Sequence, residues 1–345
     1  MVIDPQASQR QDVGTGVVHV PRPAAGSTCT NNKSYPIPPD CQLGELKSLR
    51  FDSAVKKWHE NLTSKKFHKI PAEQLYVGSH WKETLRCVQE AKLREFNTTF
   101  WILSAGWGLL LPNTKISPYA TTFTSSGDDS IHSLGWPEEL SHGERCRLWW
   151  EHVNAAFSTE KHDSIRSIGQ DDEAQLLFIL SKDYFLAIEQ ELLEIAAKGC
   201  QVLIVSAGLY TEGTAHPQLK DHILSFNDKF KQIDPYLNKT DVSLNARLAN
   251  WLIREHSDTL RLGVEETSSR IEAIGKGLPP MQRRAVIKMS DEDVLAFIDE
   301  HYESQVSTAT QLLKTLRHKE KKSCEQKRFG ELFRKYQSEN DRGLF

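Results

Sequence analysis

Four short apolar segments stand out along the chain. Three are nearly uninterrupted apolar runs that end in serine, FWILS, LLFILS and QVLIVS, and a weaker fourth is TLRLG; they span residues 100–104, 176–181, 201–206 and 259–263. Runs this short and this apolar predict strands that are buried on both faces, as in parallel sheets. We expect the first and third runs to lie side by side in one sheet.

Amphipathic patterns lie between and around these segments. They predict helices over residues 44–68, 80–95, 184–198 and 243–256. Strands that alternate with helices indicate a doubly wound α/β fold with right-handed crossovers. The fold class we predict is therefore a three-layer α/β/α domain with a short, mostly parallel central sheet, plus a small helical C-terminal unit.

The chain divides into three parts by local composition. Residues 1–24 are rich in Gly, Pro, Ser and Gln and predict a flexible arm, followed by a short strand at 26–30. The α/β domain is expected over 25–275. The segment GKGLPPMQRR at 275–284 indicates a linker, and 276–345 forms the helical basic unit. Within that unit, Ser290 and Asp293 have the spacing of a capping box, which predicts a helix start.

Composition supports a folded core and limits the class of protein. The 345 residues are 39% hydrophobic and include eight Trp and fourteen Phe. The six Cys contain no CxxC pair, which argues against a zinc ribbon and a disulfide scaffold, and no metal site is expected. No apolar run suffices for a membrane span, and the start lacks a signal-peptide pattern. We therefore expect a cytoplasmic protein without membrane partners.

The net charge of −3 hides a basic region near the end of the chain. Residues 312–336 contain nine Lys or Arg against three Glu. Such a patch is typical of polyanion binding, and Lys327 and Arg328 are candidate phosphate contacts. A solvated charged helix is an equally good interpretation of the charge. The apolar spacing of Phe329, Leu332 and Phe333 indicates core packing.

Candidate site residues follow the first and third apolar runs. Ligands of open α/β sheets bind at the carboxyl ends of the strands. Ser104 ends the first run, and Gly106 and Gly108 follow it; Ser206 ends the third run, and Gly208 follows it. Successive backbone N–H groups in such turns can cradle a phosphate. The alternative is that each glycine only closes a tight turn.

Aromatic and amide side chains nearby could bind a nucleobase. Pro118 stiffens the loop that carries Tyr119, whose ring could stack on an extruded base or pack as a lid on the core. Trp107 is a further base-binding candidate, and Ser104 could contact the base. Asn245 could read a base edge, because its amide both donates and accepts, or could serve near a helix N-cap.

Breaking a base–sugar bond calls for a carboxylate, because the sugar develops oxocarbenium character. The candidates are Glu73, Asp128, Asp129 and Asp171. Asp128 is favoured because it closely follows the aromatic loop, although paired Asp residues in such loops are usually only solvated. The motifs GxGxxG, GxxxxGK[ST], HExxH and GxSxG are absent, so we expect no nucleotide cofactor and no ordinary serine hydrolase.

Four segments together resemble a known family. They are CTNNK at 29–33, AEQLYVG at 72–78, ILSAGWGLL from 102 and ISPYATTF from 116. The chain is similar, over roughly residues 25–265, to the uracil-DNA-glycosylase-like superfamily. The branch concerned is associated with 7-deazaguanine nucleic-acid modification and with phage-defence DNA glycosylases. The sequence GQD at 169–171 resembles the water-activating motif of uracil-DNA glycosylases, but it lacks the Pro-Tyr that should follow, and we treat it as coincidental.

The resemblance implies a DNA glycosylase that flips a modified base into a pocket at the strand ends and leaves an abasic site, with antiphage defence as one implied role. In this hypothesis Tyr119 stacks on the base, Asn245 or Asn32 reads it, Asp128 and Asn32 form the catalytic pair, and Lys33 contacts the DNA backbone. Two alternatives stay open, a 7-deazaguanine-type base-exchange transferase and a non-catalytic nucleic-acid-binding protein. The oligomeric state and the choice of DNA over RNA stay open.

Overall fold

The computed structural model describes residues 2–4, 18–19, 33–136, 139–157, 164–170, 175–209, 215–239, 241–281, 287–303, 307–320 and 322–340. The chain divides into two compact units, Met1–Met281 and Gln282–Phe345. The boundary lies within the Gly/Pro-rich segment that suggests a linker. The strand predicted at 26–30 lies outside the described residues.

The protein is a mixed α/β protein. The strands described in its larger unit are β1 (Val2–Asp4), β2 (Val18–His19), β3 (Ile70–Pro71), β4 (Asn97–Thr99), β5 (Trp101–Ser104), β6 (Gly108–Leu110), β7 (Lys115–Ile116), β8 (Gln175–Ile179) and β9 (Gln201–Val205). The first two fall within the predicted flexible arm. β3 and β7 form a separate antiparallel pair.

One sheet positions the candidate site. Its order is β4-β1-β8-β2-β5-β6, and β9 pairs with β8. The pairs β2–β5, β2–β8 and β8–β9 are parallel, whereas β1–β4, β1–β8 and β5–β6 are antiparallel. The strands β5, β8 and β9 therefore end at the same edge of the sheet.

The expectation that the first and third apolar runs lie side by side is wrong. They form β5 and β9, and both β8 and β2 lie between them. β9 pairs with β8 and not with β5, and β2 separates β8 from β5. β2 is a two-residue strand in a Gly/Pro-rich segment that shows no strand periodicity. All residues of β5 and β8 are buried, as their apolar sequences predict. Their two-sided burial explains why the runs contain no polar alternation.

The helices of the larger unit are α1 (Phe51–Thr63), α2 (Ala72–Leu75), α3 (Ser79–Leu93), α4 (His142–Phe157), α5 (Ile165–Ile168), α6 (Lys182–Ala197), α7 (Leu244–Glu255), α8 (Ser257–Leu262) and α9 (Val264–Gly277). The predicted helices at 80–95, 184–198 and 243–256 are confirmed as α3, α6 and α7. The one predicted over 44–68 is shorter, because α1 begins at Phe51 after a 3₁₀ turn at Leu43–Leu46. α4 packs on α6, and α3 packs on α7.

The fourth predicted strand, TLRLG, is wrong. Residues 257–262 form α8, in which Leu260 is buried and Leu262 is exposed. One buried leucine per helical turn produces the same short apolar pattern as a weak strand. Gly263 ends the helix with a φ of 114°, a conformation that favours glycine.

The smaller unit has its own apolar core. It contains the parallel pair β10 (Ile287–Lys288) and β11 (Lys322–Ser323) and the helices α10 (Asp291–His301), α11 (Ala309–His318) and α12 (Gln326–Asn340). The predicted capping box at the start of α10 is confirmed, because Ser290 and Asp293 bond reciprocally. Phe329, Leu332 and Phe333 are buried in this core, also as predicted. None of the described helices combines the length and apolarity that a membrane span needs.

Candidate active site at the strand ends

A rigid turn follows β5. The indole N–H of Trp149 donates to the carbonyl of Ala105 at 2.7 Å, and that of Trp58 donates to the carbonyl of Gly106 at 2.9 Å. The backbone N–H of Trp107 donates to the Ser104 hydroxyl at 3.0 Å. The carbonyl groups of this turn accept from two buried tryptophans in place of a neighbouring strand. These bonds hold the turn that follows the first apolar run.

Tyr119 covers this turn. Its hydroxyl lies 2.7 Å from the Ser104 hydroxyl and 3.1 Å from the hydroxyl of Tyr76. A Cβ atom at Gly106 would lie 2.5 Å from two carbons of the Tyr119 ring, so only glycine permits this approach. The next residue, Ala120, is paired through its backbone with Cys41 and Leu43, which holds the loop in place.

Lys33 lies against the two tyrosines. Its Nζ atom is 4.7 Å from the ring centroids of both Tyr76 and Tyr119. The backbones of Lys33 and Tyr76 form an isolated antiparallel β-bridge, and the Ser34 N–H donates to the carbonyl of Leu75. This pairing fixes the backbone at Lys33 beside Tyr76. The faces of the two tyrosine rings contact the Lys33 amine through cation–π interactions.

Burial lowers the pKa of Lys33 from 10.5 to about 8. No charged neighbour contributes to that shift, and Lys33 has no carboxylate partner among the described residues. Burial raises the pKa values of Tyr76 and Tyr119. The cluster therefore combines one weakly held proton on an amine with two neutral phenols, at the edge where parallel strands end.

Asn245 joins the ends of β8 and β9. Its Oδ1 accepts from the backbone N–H of Ala207 at 2.9 Å, and its Nδ2 donates to the carbonyl of Leu180 at 2.6 Å. Tyr184, in the first turn of α6, packs edge-on against Phe123, with ring centroids 4.8 Å apart. Asn245 thereby connects the ends of β8 and β9.

The structure brings four of the predicted site residues together. Ser104, Gly106 and Lys33 each lie against Tyr119 at the turn after β5. Tyr119 is 2% exposed, so of its two predicted roles the structure favours the packed lid over an open stacking face. Both polar groups of the Asn245 amide are used by the backbone, which leaves its base-reading role a prediction.

Other predicted residues have structural contacts of their own. Trp107 is buried against Phe157, with ring centroids 4.4 Å apart. Gly108 has a φ of 72°, and a Cβ there would lie 2.6 Å from Asn154 Oδ1. Ser206 is buried, and Gly208 has a φ of 100°. These glycines meet the demands of tight turns, and their phosphate-binding roles stay predictions.

The predicted catalytic residue Asp128 and the predicted phosphate contacts Lys327 and Arg328 have other surroundings. Asp128 is exposed on a loop, and its neighbour Asp129 accepts a hydrogen bond from the backbone N–H of Gly44 at 3.1 Å. Asn32 lies outside the described residues. Lys327 is exposed in the smaller unit, where Arg328 is paired with Asp291 at 2.6 Å.

Sequence reasoning missed several residues at the strand ends. Tyr76 lies in the AEQLYVG segment that carries the resemblance, and that segment could have indicated it. Tyr184 follows β8 directly, but it lies on an ordinary amphipathic helix. His132, His142, Cys146 and Asp183 form a polar cluster whose first three members could hold a metal ion. The spacing of these residues along the sequence matches no metal-binding motif, because they lie on three separate elements.

Comparison with known proteins gives one match. A family model described as a family of unknown function, DUF6884, matches residues 61–202, which is less than half of the chain. The matched span includes Tyr76, Ser104, Tyr119 and Asp183 but not Lys33. No curated protein and no solved structure matches the chain.

Proposed function

We propose that this protein is a DNA glycosylase that hydrolyses the N-glycosidic bond of a modified base and leaves an abasic site. The observation that carries the proposal is Lys33, a half-buried lysine without a carboxylate partner among the described residues, whose amine lies against the rings of Tyr76 and Tyr119 at the strand ends. A buried cation is costly unless something compensates it. A DNA phosphate or the departing anionic base supplies that compensation.

The finer architecture belongs to the same proposal. We place the site on a three-layer α/β/α domain of the uracil-DNA-glycosylase-like superfamily, in the branch associated with 7-deazaguanine modification and phage defence. The parallel pairs of β8 with β2 and β9 support this, as do the helix pairs α3–α7 and α4–α6. Ligands of such domains bind outside the carboxyl ends of the strands.

In the proposed reaction Lys33 stabilises charge and Asp128 activates water. Ser104 and the two tyrosine hydroxyls form one hydrogen-bonded chain beneath Lys33. Held there, the Lys33 ammonium stabilises negative charge that develops on the leaving base, which is where fixed charges contribute most to catalysis. Asp128 remains the proposed carboxylate for water activation, because its loop directly follows the segment that carries Tyr119.

The test measures base release directly. Purified protein is incubated with several naturally modified phage DNAs, free bases are identified by mass spectrometry, and abasic sites are counted with an aldehyde-reactive probe. We expect one modified base to appear with an equal number of abasic sites, and Asp128→Asn to slow its release. Release that requires a supplied replacement base would establish the exchange transferase instead. Salt-dependent DNA binding without release from any DNA would establish a non-catalytic protein.

A further inference from the structure

A second polar cluster lies near the strand ends, and the proposed function does not use it. His132 lies on the 3₁₀ turn Ile131–Ser133, His142 and Cys146 lie on α4, and Asp183 is the second residue of α6. His142 and Cys146 are four residues apart, so both side chains project from one face of α4. Cys146 is fully buried, whereas the other three side chains are only partly exposed.

Two distances from His142 Nε2 are close to those between ligands of one ion. His142 Nε2 lies 3.8 Å from Cys146 Sγ and 3.0 Å from Asp183 Oδ1. Tetrahedral zinc with ordinary bond lengths would hold nitrogen and sulfur about 3.6 Å apart, and nitrogen and oxygen about 3.4 Å apart. Ligand atoms of His132, His142 and Cys146 all lie within 4.8 Å of one another. The His142–Cys146 and His142–Asp183 distances therefore need only small changes. The His132 ring must turn to join them, because its Nε2 now lies 2.9 Å from the other ring nitrogen of His142, Nδ1.

We propose that His132, His142, Cys146 and Asp183 bind a divalent cation of the zinc class. Two imidazoles, one thiol and one carboxylate are donors that zinc prefers, and four protein ligands are the number found in closed structural sites. Binding releases the thiol proton to solvent, which gives two anionic ligands for a dication. The neighbouring Arg145, 3.5 Å from His132 Nδ1, then faces a centre without net charge.

The site would serve as a clamp. It joins the segment before α4, α4 itself and the first turn of α6, which also carries Tyr184. The competing explanation is a hydrogen-bonded relay without metal. In that relay Arg145 donates to His132, His132 donates to His142 across 2.9 Å, and His142 donates to Asp183. The relay assigns no role to Cys146, whereas the metal site requires it.

The test uses the full chain without a histidine tag, stripped of metal by a chelator and titrated with Co²⁺ and with Zn²⁺. We expect one equivalent to bind, a thiolate-to-cobalt charge-transfer band to appear, and zinc to raise the melting temperature. Cys146→Ser should lose the charge-transfer band, and His132→Gln should lose stoichiometric binding. His152→Gln, an exposed histidine on the same helix, is the matched control and should behave like the unmodified protein.

Three results would overturn the proposal. The first is the absence of stoichiometric binding by the unmodified chain, which would leave the relay as the explanation. The second is a charge-transfer band that persists in Cys146→Ser. The third is equal metal binding by His132→Gln and by the control. If Cys146→Ser fails to fold, the titration of the unmodified chain and of His132→Gln still decides.

Discussion

Replacing Lys33 with methionine should stabilise the protein while impairing its activity. A Lys whose pKa is about 8 in the folded state and 10.5 when exposed binds its proton less readily after folding. At pH 7 both states are protonated, and the difference between the two pKa values corresponds to a cost of about 3 kcal/mol. Methionine has a similar length and no charge, so Lys33→Met should recover up to that amount.

The destabilisation by Lys33 should also make the free energy of unfolding depend on pH. Between pH 8 and 10.5 the unfolded chain holds the Lys33 proton more tightly than the folded chain, so stability contributed by this residue rises with pH. From pH 7 to 9.5 the rise should be about 2 kcal/mol. The facing phenols, Tyr76 and Tyr119, have raised pKa values and stay protonated in this window. In Lys33→Met this rise should disappear.

The assay is urea unfolding of both proteins at pH 7.0, 8.0 and 9.5, with Lys65→Gln as an exposed-lysine control. We expect the free energies of unfolding of Lys33→Met and of the unmodified chain to converge as the pH rises. A Lys33→Met protein that is less stable at pH 7, with the pH slope unchanged, would refute the reasoning. Lys33 would then be a residue that stabilises the fold.

Three further substitutions test the packing around the site and in the smaller unit. Gly106→Ala should destabilise the larger unit by about 1–3 kcal/mol in urea unfolding, because its Cβ meets the Tyr119 ring; Gly330→Ala, with open space around it, should be neutral or slightly stabilising. Asn245→Ala removes two hydrogen bonds to strand-end backbone groups and should cost roughly 2 kcal/mol; an unchanged urea midpoint would show that water replaces them. Ser290→Ala removes a helix cap and should cost about 0.5–2 kcal/mol; hydrogen exchange should locate the loss in α10, and a loss elsewhere would contradict the assignment.

Local sequence pattern predicts much of the fold because burial and helix faces leave a periodic signal. The two-sided burial of β5 and β8 and the amphipathic helices α3, α6 and α7 follow directly from residue spacing. TLRLG misleads, because a single buried leucine per turn also fits a short strand. The order of strands could not be predicted, since β2 is too short to carry any periodicity.

The site is less predictable than the fold because its contacts connect distant segments. Ser104 could be selected because it ends the apolar run of β5, and Tyr119 because it lies in a loop that Pro118 stiffens. The contact of Lys33 with Tyr76 and Tyr119 depends on a backbone bridge formed only in the tertiary structure. His132 and Asp183 are brought together by three separate elements, so no local motif marks their cluster.

The most direct test of the strand-end site is the single-turnover rate of base release by Lys33→Met and by the unmodified protein on the same modified DNA. Fixed groups that stabilise a leaving charge contribute about 10²–10³-fold to the rate, and Lys33→Met should lose that factor while it remains folded. The exposed control Lys65→Gln should retain full activity. Equal rates for Lys33→Met and the unmodified protein would show that the chemistry takes place elsewhere.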